Sequence, residues 1–211
     1  VYIPSDNPDE LPTEKVDFTL GFFGDGDFFT MKGVVEEFLE RIGMRNKPSY
    51  DPEAGKPYLH PGRQANIIYG DTQIGYLGEV HPDIADVYGI GERTYIAVID
   101  LSKVTPIASF DRKYAGIAKF PAVTRDISMV VPKDMLVGNI EKVIEKRGGE
   151  LVESFGLFDI YEGEQIKEGF KSVAYTISFR ANDRTLEDSD IQPVMEKILK
   201  DLSDMGIELR A

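Results

Sequence analysis

Two residues of one predicted strand, Asp159 and Tyr161, have side chains suited to holding an unpaired nucleotide base. An aromatic ring offers a stacking surface for a base, and a carboxylate accepts hydrogen bonds from the amino and imino edge of guanine. Side chains two residues apart on a strand lie on the same face. We therefore predict that Asp159 and Tyr161 lie side by side, with Phe158 and Ile160 on the other face. The alternatives are a half-exposed strand aromatic for Tyr161 and a cap or loop hydrogen bond for Asp159.

Hydroxyl and basic side chains on neighbouring elements could complete such a site. Ser128, on the preceding strand, leaves room for a base and can hydrogen bond it, and Ser172 opens the next strand beside it. The basic candidates for base or phosphate contacts are Arg125, Lys171 and Arg180. The alternative for Arg125 is an ion pair with a nearby acid, and the alternative for Ser128 is an ordinary exposed serine.

Periodic patterns in the second half of the chain predict the elements that must position these side chains. Strands are predicted over 126–131, 151–161, 172–181 and 207–209. Apolar stripes over 137–144 and 191–202 predict two amphipathic helices, the first of which stops at Gly148-Gly149. This β-α-β-β-α-β order is the ferredoxin-like split motif, in which both helices cover one sheet face and leave the other free. Asp188 or Asp190 is expected to cap the second helix, and Pro193 is tolerable only in its first turn.

The first half reads as an α+β domain with an antiparallel sheet. Regular structure is expected to begin near Asp27, and apolar residues at helical spacing predict a helix over 34–42. Alternation on both sides of a Gly-Asp turn predicts a hairpin formed by 65–69 and 73–80. An apolar run over 95–101 predicts a further, central strand.

Length, charge and cysteine content limit the possible functions. The chain has 211 residues, no Cys and a net charge of −13. We predict a connecting segment over 1–16, one domain over 17–104, a linker over 105–118 and a second domain over 119–211. The negative charge argues against non-specific binding to a polyanion, so any RNA contact must be local and shape-specific. The absence of Cys excludes disulfides and thiolate metal sites, and it is typical of cytoplasmic proteins.

Four motifs occur in order on the predicted elements of the second half. They are Lys-Phe-Pro-Ala-Val-x-Arg-Asp from Lys119, Leu-Phe-Asp-x-Tyr-x-Gly from Leu157, Lys-Ser-x-Ala-Tyr from Lys171 and Asp-Arg-Thr-Leu from Asp183. Together they resemble the ferredoxin-fold anticodon-binding domain of the bacterial phenylalanine–tRNA ligase β subunit. The first half is similar to the preceding, class II synthetase-like part of that subunit, through Phe-Phe-Thr-Met-Lys-Gly from Phe28 and Gly-Tyr-Leu-Gly-Glu-Val-His-Pro from Gly75.

The resemblance implies a C-terminal fragment that holds the anticodon stem-loop of tRNA(Phe), with Ser172 among the tRNA contacts. It also implies that a separate α subunit, in an α2β2 tetramer, charges the tRNA with ATP and Mg²⁺. We therefore expect no catalytic residue, metal or cofactor in these residues. His60 and His81 could be imagined with Glu79 as a metal site, but loop hydrogen bonding is the better interpretation. Two alternatives stay open: a ferredoxin-like small-molecule sensor, and a module that only scaffolds subunits.

Overall fold

The computed structural model describes residues 1–44, 46–111, 114, 116–163 and 165–210. The chain divides into two compact units, 1–114 and 115–211, each with its own hydrophobic core. The predicted linker and second domain include residues 112, 113, 115, 164 and 211, which lie outside the described residues. None of the helices in the described ranges has the length and apolar character needed to cross a membrane.

The first unit is a five-stranded antiparallel sheet with a helix packed on one face. Its elements are β1 (Tyr2–Ile3), β2 (Thr13–Glu14), β3 (Asp17–Phe23), α1 (Phe28–Arg41), β4 (Ser49–Asp51), β5 (Leu59–Tyr69), β6 (Thr72–Val80), α2 (Pro82–Val87), β7 (Thr94–Asp100) and α3 (Leu101–Val104). The sheet order is β3-β7-β6-β5-β4, and the predicted hairpin is confirmed as the β5–β6 pair. β1 and β2 pair only with each other, inside the predicted connecting segment.

Two boundaries in the first unit differ from the sequence-based expectation. Regular structure begins before Asp27, because β3 forms an edge strand whose inward residues include Phe18 and Leu20. Helix α1 begins at Phe28, six residues earlier than predicted, because Asp27 caps it. The Asp27 carboxylate accepts from the Thr30 backbone N–H at 2.8 Å, and the Thr30 hydroxyl accepts from the Asp27 N–H at 3.2 Å. This reciprocal capping box satisfies two backbone donors at the helix start.

A buried carboxylate links strands β5, β6 and β7 at one end of this core. Glu79 is only 2% exposed and pairs with Arg63 through two hydrogen bonds, of 2.5 and 3.0 Å. The Tyr95 hydroxyl donates to the same carboxylate at 2.9 Å. Burial opposes ionisation of Glu79, but the hydrogen bonds from Arg63 and Tyr95 outweigh it and hold the pKa of Glu79 below its usual value.

We expect Glu79 to make unit 1 less stable in acid. The lowered pKa of Glu79 means that its contribution is fully present above its unfolded pKa, near about 4.3, and is lost as pH falls through the lower folded pKa. Urea unfolding of the wild type and of Glu79→Gln should therefore differ by a constant free energy above about pH 5, and the difference should shrink as pH falls further, through the lowered pKa of folded Glu79. A gap that stays constant down to pH 2 would contradict this assignment.

The second unit confirms the ferredoxin-like order. Its elements are β8 (Val123–Pro132), α4 (Val137–Gly148), a 3-10 turn (Gly149–Leu151), β9 (Val152–Tyr161), β10 (Phe170–Phe179), α5 (Asp188–Asp204) and β11 (Glu208–Leu209). The antiparallel sheet has the order β11-β8-β10-β9. Both α-helices pack on the same sheet face, and their residues Ile140, Ile144, Ile191, Ile198 and Leu202 join the core formed by alternate residues of β8 and β10.

The start of α5 corrects two expectations about its capping. The N-cap residue is Glu187, not Asp188 or Asp190. Asp190 acts from inside the first turn, where its carboxylate accepts from the Glu187 backbone N–H at 3.0 Å. Pro193 is the sixth residue of α5 and lies in its second turn, so it removes one internal backbone hydrogen bond.

Candidate nucleic-acid interface

The sheet face opposite the two helices of unit 2 presents the candidate binding residues. Strand register aligns two rows across β8, β10 and β9: Ser128–Ala174–Asp159 and Val130–Ser172–Tyr161. Their strand neighbours Met129 and Val173 are fully buried under the helices, so alternation places both rows on the free face. We call this face the open face. The expectation that Asp159 and Tyr161 share a face is confirmed.

A β-bulge in β9 is what brings Asp159 and Tyr161 to the open face. Leu157 pairs with Tyr175 and packs against the helix-side core, whereas Asp159 pairs with Ala174. Phe158 lies between these two pairs without a partner on β10. The extra residue reverses the alternation of the strand, because without it Leu157 and Asp159 would lie on the same face.

Arg210, which the sequence interpretation did not single out, extends over the same face. Its backbone N–H donates to the Ser128 carbonyl at 2.8 Å, just after β11. Its guanidinium lies 5.8 Å from the centre of the Tyr161 ring and donates to Ser172 Oγ at 3.5 Å. Strand alternation is the signal that could have found Arg210. Ile207 is buried, so Glu208 and Arg210, which flank Leu209, fall on the opposite face of the last strand.

Four side chains surround Tyr161 and form with it a site that combines stacking and hydrogen bonding. They belong to Ser128, Asp159, Ser172 and Arg210. Tyr161 is 38% exposed, whereas its cross-strand partner Ser172 is only 4% exposed. Ser128 Oγ and Ser172 Oγ lie 3.5 Å apart. The Arg210 guanidinium lies over the Tyr161 ring, so this part of the open face combines an aromatic surface with hydrogen-bond donors, and Asp159 in the neighbouring row adds acceptors.

The backbone of Gly163 packs closely against the Tyr161 side chain. A Cβ atom at Gly163 would lie 2.2 Å from the Tyr161 hydroxyl oxygen and 2.5 Å from the ring carbon that bears it. Real atoms do not approach so closely, so only glycine at this position allows the observed ring orientation. Gly163 therefore helps to set where the stacking surface lies.

The three predicted basic residues lie away from this cluster. Arg125 pairs with Ile177 on the helix-packed face and forms an ion pair with Asp188, the first residue of α5. Lys171 also lies on that face, where its Nζ donates to the carbonyls of Lys133 and Met135 at 2.9 and 3.0 Å. The strands thus separate Arg125 and Lys171 from the open-face cluster.

Arg180 lies beyond the far end of β10. It is eight residues after Ser172, which corresponds to about 26 Å at the usual rise of a strand. Its Nε donates to Glu153 at 2.8 Å, and its Nη1 donates to the Phe120 carbonyl. Four of the predicted side chains, from Ser128, Asp159, Tyr161 and Ser172, therefore lie together, and Arg180 is remote from them.

Charges on the open face are mixed. Asp126 and Asp159 lie on it by strand register, and Glu208 lies opposite Val130 on β11. The Thr176 hydroxyl donates to Asp126 at 2.6 Å. With these acids beside Arg210, a ligand would be held by stacking and base-edge hydrogen bonds more than by total charge.

The histidines of the first unit make loop hydrogen bonds. His60 Nδ1 accepts from the Gly62 backbone N–H at 3.0 Å, and His81 Nδ1 accepts from the Asp83 N–H at 3.3 Å at the start of α2. Within the part of the chain that the structure describes, no group of three or more His, Asp or Glu side chains is placed to hold a metal ion.

Comparisons with known families match both units. Residues 118–210 match the family described as "Ferredoxin-fold anticodon binding domain", and residues 1–101 match "Phenylalanyl tRNA synthetase beta chain CLM domain". The second unit is thus a ferredoxin-fold anticodon-binding domain, the class that its strand order and open face define.

Curated relatives extend this match over the whole chain. It is 46% identical over 211 residues to the phenylalanine–tRNA ligase beta subunit of Clostridium acetobutylicum and 41% identical over the same length to that of Clostridium tetani. The beta subunit of Symbiobacterium thermophilum is 35% identical over 223 aligned residues. The chain belongs to the phenylalanine–tRNA ligase beta-subunit family. It aligns along its full length but spans only 25–26% of the length of these relatives.

Proposed function

We propose that unit 2 binds the anticodon loop of a phenylalanine tRNA on its open face. The observation that carries this proposal is the half-exposed Tyr161 ring, set beside Asp159, Ser172 and Arg210 on a sheet face opposite both helices. Single-stranded RNA is recognised by stacking splayed bases on aromatic rings and by hydrogen bonds to their edges. Asp159 then reads the amino and imino edge of guanine at the first anticodon position.

The chain acts within a larger ligase in this proposal. It works with an α subunit in an α2β2 tetramer in the cytoplasm, where the α subunit uses ATP and Mg²⁺ to join phenylalanine to the tRNA. The division into a connecting segment (1–16), a non-catalytic synthetase-like domain (17–104), a linker (105–118) and an anticodon-binding domain (119–211) belongs to the same proposal. The contribution of these residues is positional: they hold the anticodon while the acceptor end reaches the α subunit.

The other predicted tRNA contacts enter the proposal with different roles. Ser128 and Ser172 have their hydroxyls 3.5 Å apart on the open face; Ser128 is half-buried and can reach a base edge or sugar, whereas the buried Ser172 acts beneath it. Arg125, Lys171 and Arg180 already have protein partners, so they can contact only the phosphates of flanking nucleotides. We expect their removal to weaken RNA binding less than removal of the open-face residues.

Binding of an anticodon hairpin by the 211-residue chain tests the proposal. We expect low-salt titration to show preference for a hairpin with guanine at the first anticodon position over one with adenine, by about 1–3 kcal/mol, the usual value of a good base-edge contact. Asp159→Ala should remove the preference. Equal binding of both hairpins by the wild type, or no binding of either, would contradict the assignment and favour a sensor or scaffolding role.

A substitution at Gly163 tests the placement of the Tyr161 ring. The added Cβ of Gly163→Ala forces the ring aside, so we expect hairpin binding to weaken about three- to tenfold, equivalent to about 0.7–1.4 kcal/mol. Thermal stability should change little, because the site is on the surface.

Gly156→Ala is the matched control for this variant. Gly156 lies on β9 opposite Thr176, on the open face, and its new Cβ meets no atom within 4 Å. Both variants should melt like the wild type, and Gly156→Ala should bind the hairpin normally. Equal binding by the two variants would show that the position of the ring does not matter.

A further inference from the structure

Arg210 differs from the other arginines of unit 2 in the group that holds its guanidinium. Arg125, Arg147, Arg180 and Arg184 each form an ion pair with a carboxylate, on Asp188, Asp201, Glu153 and Asp190 respectively. Arg210 instead donates to the side-chain amide oxygen of Gln165 at 3.2 Å. An amide oxygen orients a guanidinium without neutralising its charge.

The Arg210 guanidinium contacts two side-chain oxygens, and Gln165 Oε1 is the closer of the two. Its 3.2 Å bond compares with 3.5 Å to Ser172 Oγ, which is at the limit for a hydrogen bond. Gln165 follows β9 in a loop that is closed by the Ile166 N–H donating to the Gly163 carbonyl at 2.9 Å. The loop that packs against the Tyr161 ring therefore also carries the group that orients Arg210.

An arginine at this point of the chain needs such a support. β11 is only two residues long, and Arg210 follows it directly with an exposed side chain. A free arginine side chain has many rotamers, and fixing it when a ligand binds costs conformational entropy. A bond made before binding reduces this cost, which is the principle of preorganisation.

We propose that Gln165 is a positioning residue that holds the Arg210 guanidinium over the Tyr161 ring while leaving its positive charge available to bound RNA. This inference rests on the proposed function and adds a residue to it. The ligand group is an anionic phosphate or an acceptor edge of the nucleotide stacked on Tyr161. A carboxylate at position 165 would hold the guanidinium more firmly but cancel its charge.

The test compares Gln165→Leu and Gln165→Glu in the 211-residue chain titrated with the guanine-containing anticodon hairpin. Gln165→Leu, which removes the acceptor, should weaken binding about threefold, as expected for loss of one preorganised side chain. Gln165→Glu, which keeps the acceptor, should weaken binding about five- to tenfold at low salt, and the difference between the two should shrink as salt is added. A purely structural role predicts the reverse, with Gln165→Glu close to the wild type.

Matched controls are available in α5. Gln192 is exposed, and its side chain donates to Glu196 at 3.0 Å on the helix-packed side. Gln192→Leu and Gln192→Glu repeat the same chemical changes, and neither should alter binding. All four variants should melt at the temperature of the wild type.

Arg210→Ala decides whether Gln165 acts through Arg210. In that background Gln165→Leu should have no further effect. An unchanged affinity for Gln165→Leu in the wild-type background, or the same loss with and without Arg210, would overturn the inference. If Tyr161→Ala also leaves binding unchanged, the proposed function fails, and the inference fails with it; normal Tyr161 dependence with no Gln165 effect rejects the inference alone.

Discussion

Replacing Tyr161 with alanine should weaken binding of the anticodon hairpin by about 1–3 kcal/mol, which is roughly 5- to 150-fold. The ring provides an aromatic surface on the open face, and the Arg210 guanidinium lies over it. Loss of the ring removes both the stacking energy and the contact that holds this guanidinium on the open face. Fluorescence anisotropy of a labelled hairpin measures the effect directly.

Two controls separate stacking from other effects of the Tyr161 substitution. Tyr161→Phe keeps the ring and should retain most of the affinity. Phe158→Ala removes an exposed aromatic side chain at the neighbouring bulge, where it has no pairing partner on β10, and should leave RNA binding nearly unchanged. In the assembled ligase, Tyr161→Ala should reduce tRNA charging but not phenylalanine activation. Equal loss of both activities would overturn the positional role.

The largest effect on folding is expected from Arg63→Met in unit 1. The substitution leaves the Glu79 carboxylate buried without its charge partner, a situation that costs about 3–5 kcal/mol. Because Tyr95 still donates to Glu79, we expect the lower end, about 3 kcal/mol. Urea unfolding at pH 7 should show this loss. The loss of stability should diminish in acid. Without Arg63, burial raises the pKa of Glu79, so the carboxyl group becomes protonated and neutral as pH falls.

Two further variants test whether the unpaired, buried charge of Glu79 causes that loss of stability. Arg41→Met removes an exposed guanidinium that pairs with Glu37 on α1, and it should destabilise unit 1 much less than Arg63→Met, because exposed ion pairs contribute little. The double variant Arg63→Met, Glu79→Met replaces the pair with apolar side chains and should recover most of the stability. A single Arg63 variant no less stable than the Arg41 variant would show that the buried pair contributes little.

Much of the fold could be predicted because local patterns and tertiary packing agree in unit 2. The apolar alternation of β8 and β10 and the stripes of α4 and α5 all face one core, so the order of elements and the free sheet face follow from the sequence. The edge strand β3 was missed although Phe18 and Leu20 alternate with polar or small residues. Its alternating stretch is short and precedes a glycine-rich loop. Its partner strand β7 lies almost 80 positions further along the chain, so local sequence patterns do not reveal the pairing.

The candidate site could be predicted only in part because its residues come from three strands and from the residue that follows a fourth. Asp159 and Tyr161 are two residues apart, so their shared face was evident from spacing. Arg125 and Lys171 have the right chemistry for RNA, but the register turns them to the helix side, where a carboxylate and two backbone carbonyls hold them. A basic residue type alone does not show which partner it will have.

The sequence by itself determined the ferredoxin-like order of elements and the presence of an aromatic and a carboxylate side chain on one face of a strand, because both depend on local spacing. It also determined the family to which the chain belongs, because that depends on the order of the motifs. Only the tertiary structure decided that the bulge at Phe158 turns Asp159 and Tyr161 away from the core and that Arg210 lies over the Tyr161 ring. A bulge is defined by the register between two strands, and Arg210 is 49 residues from Tyr161 in the chain, so both features come into being when the sheet assembles.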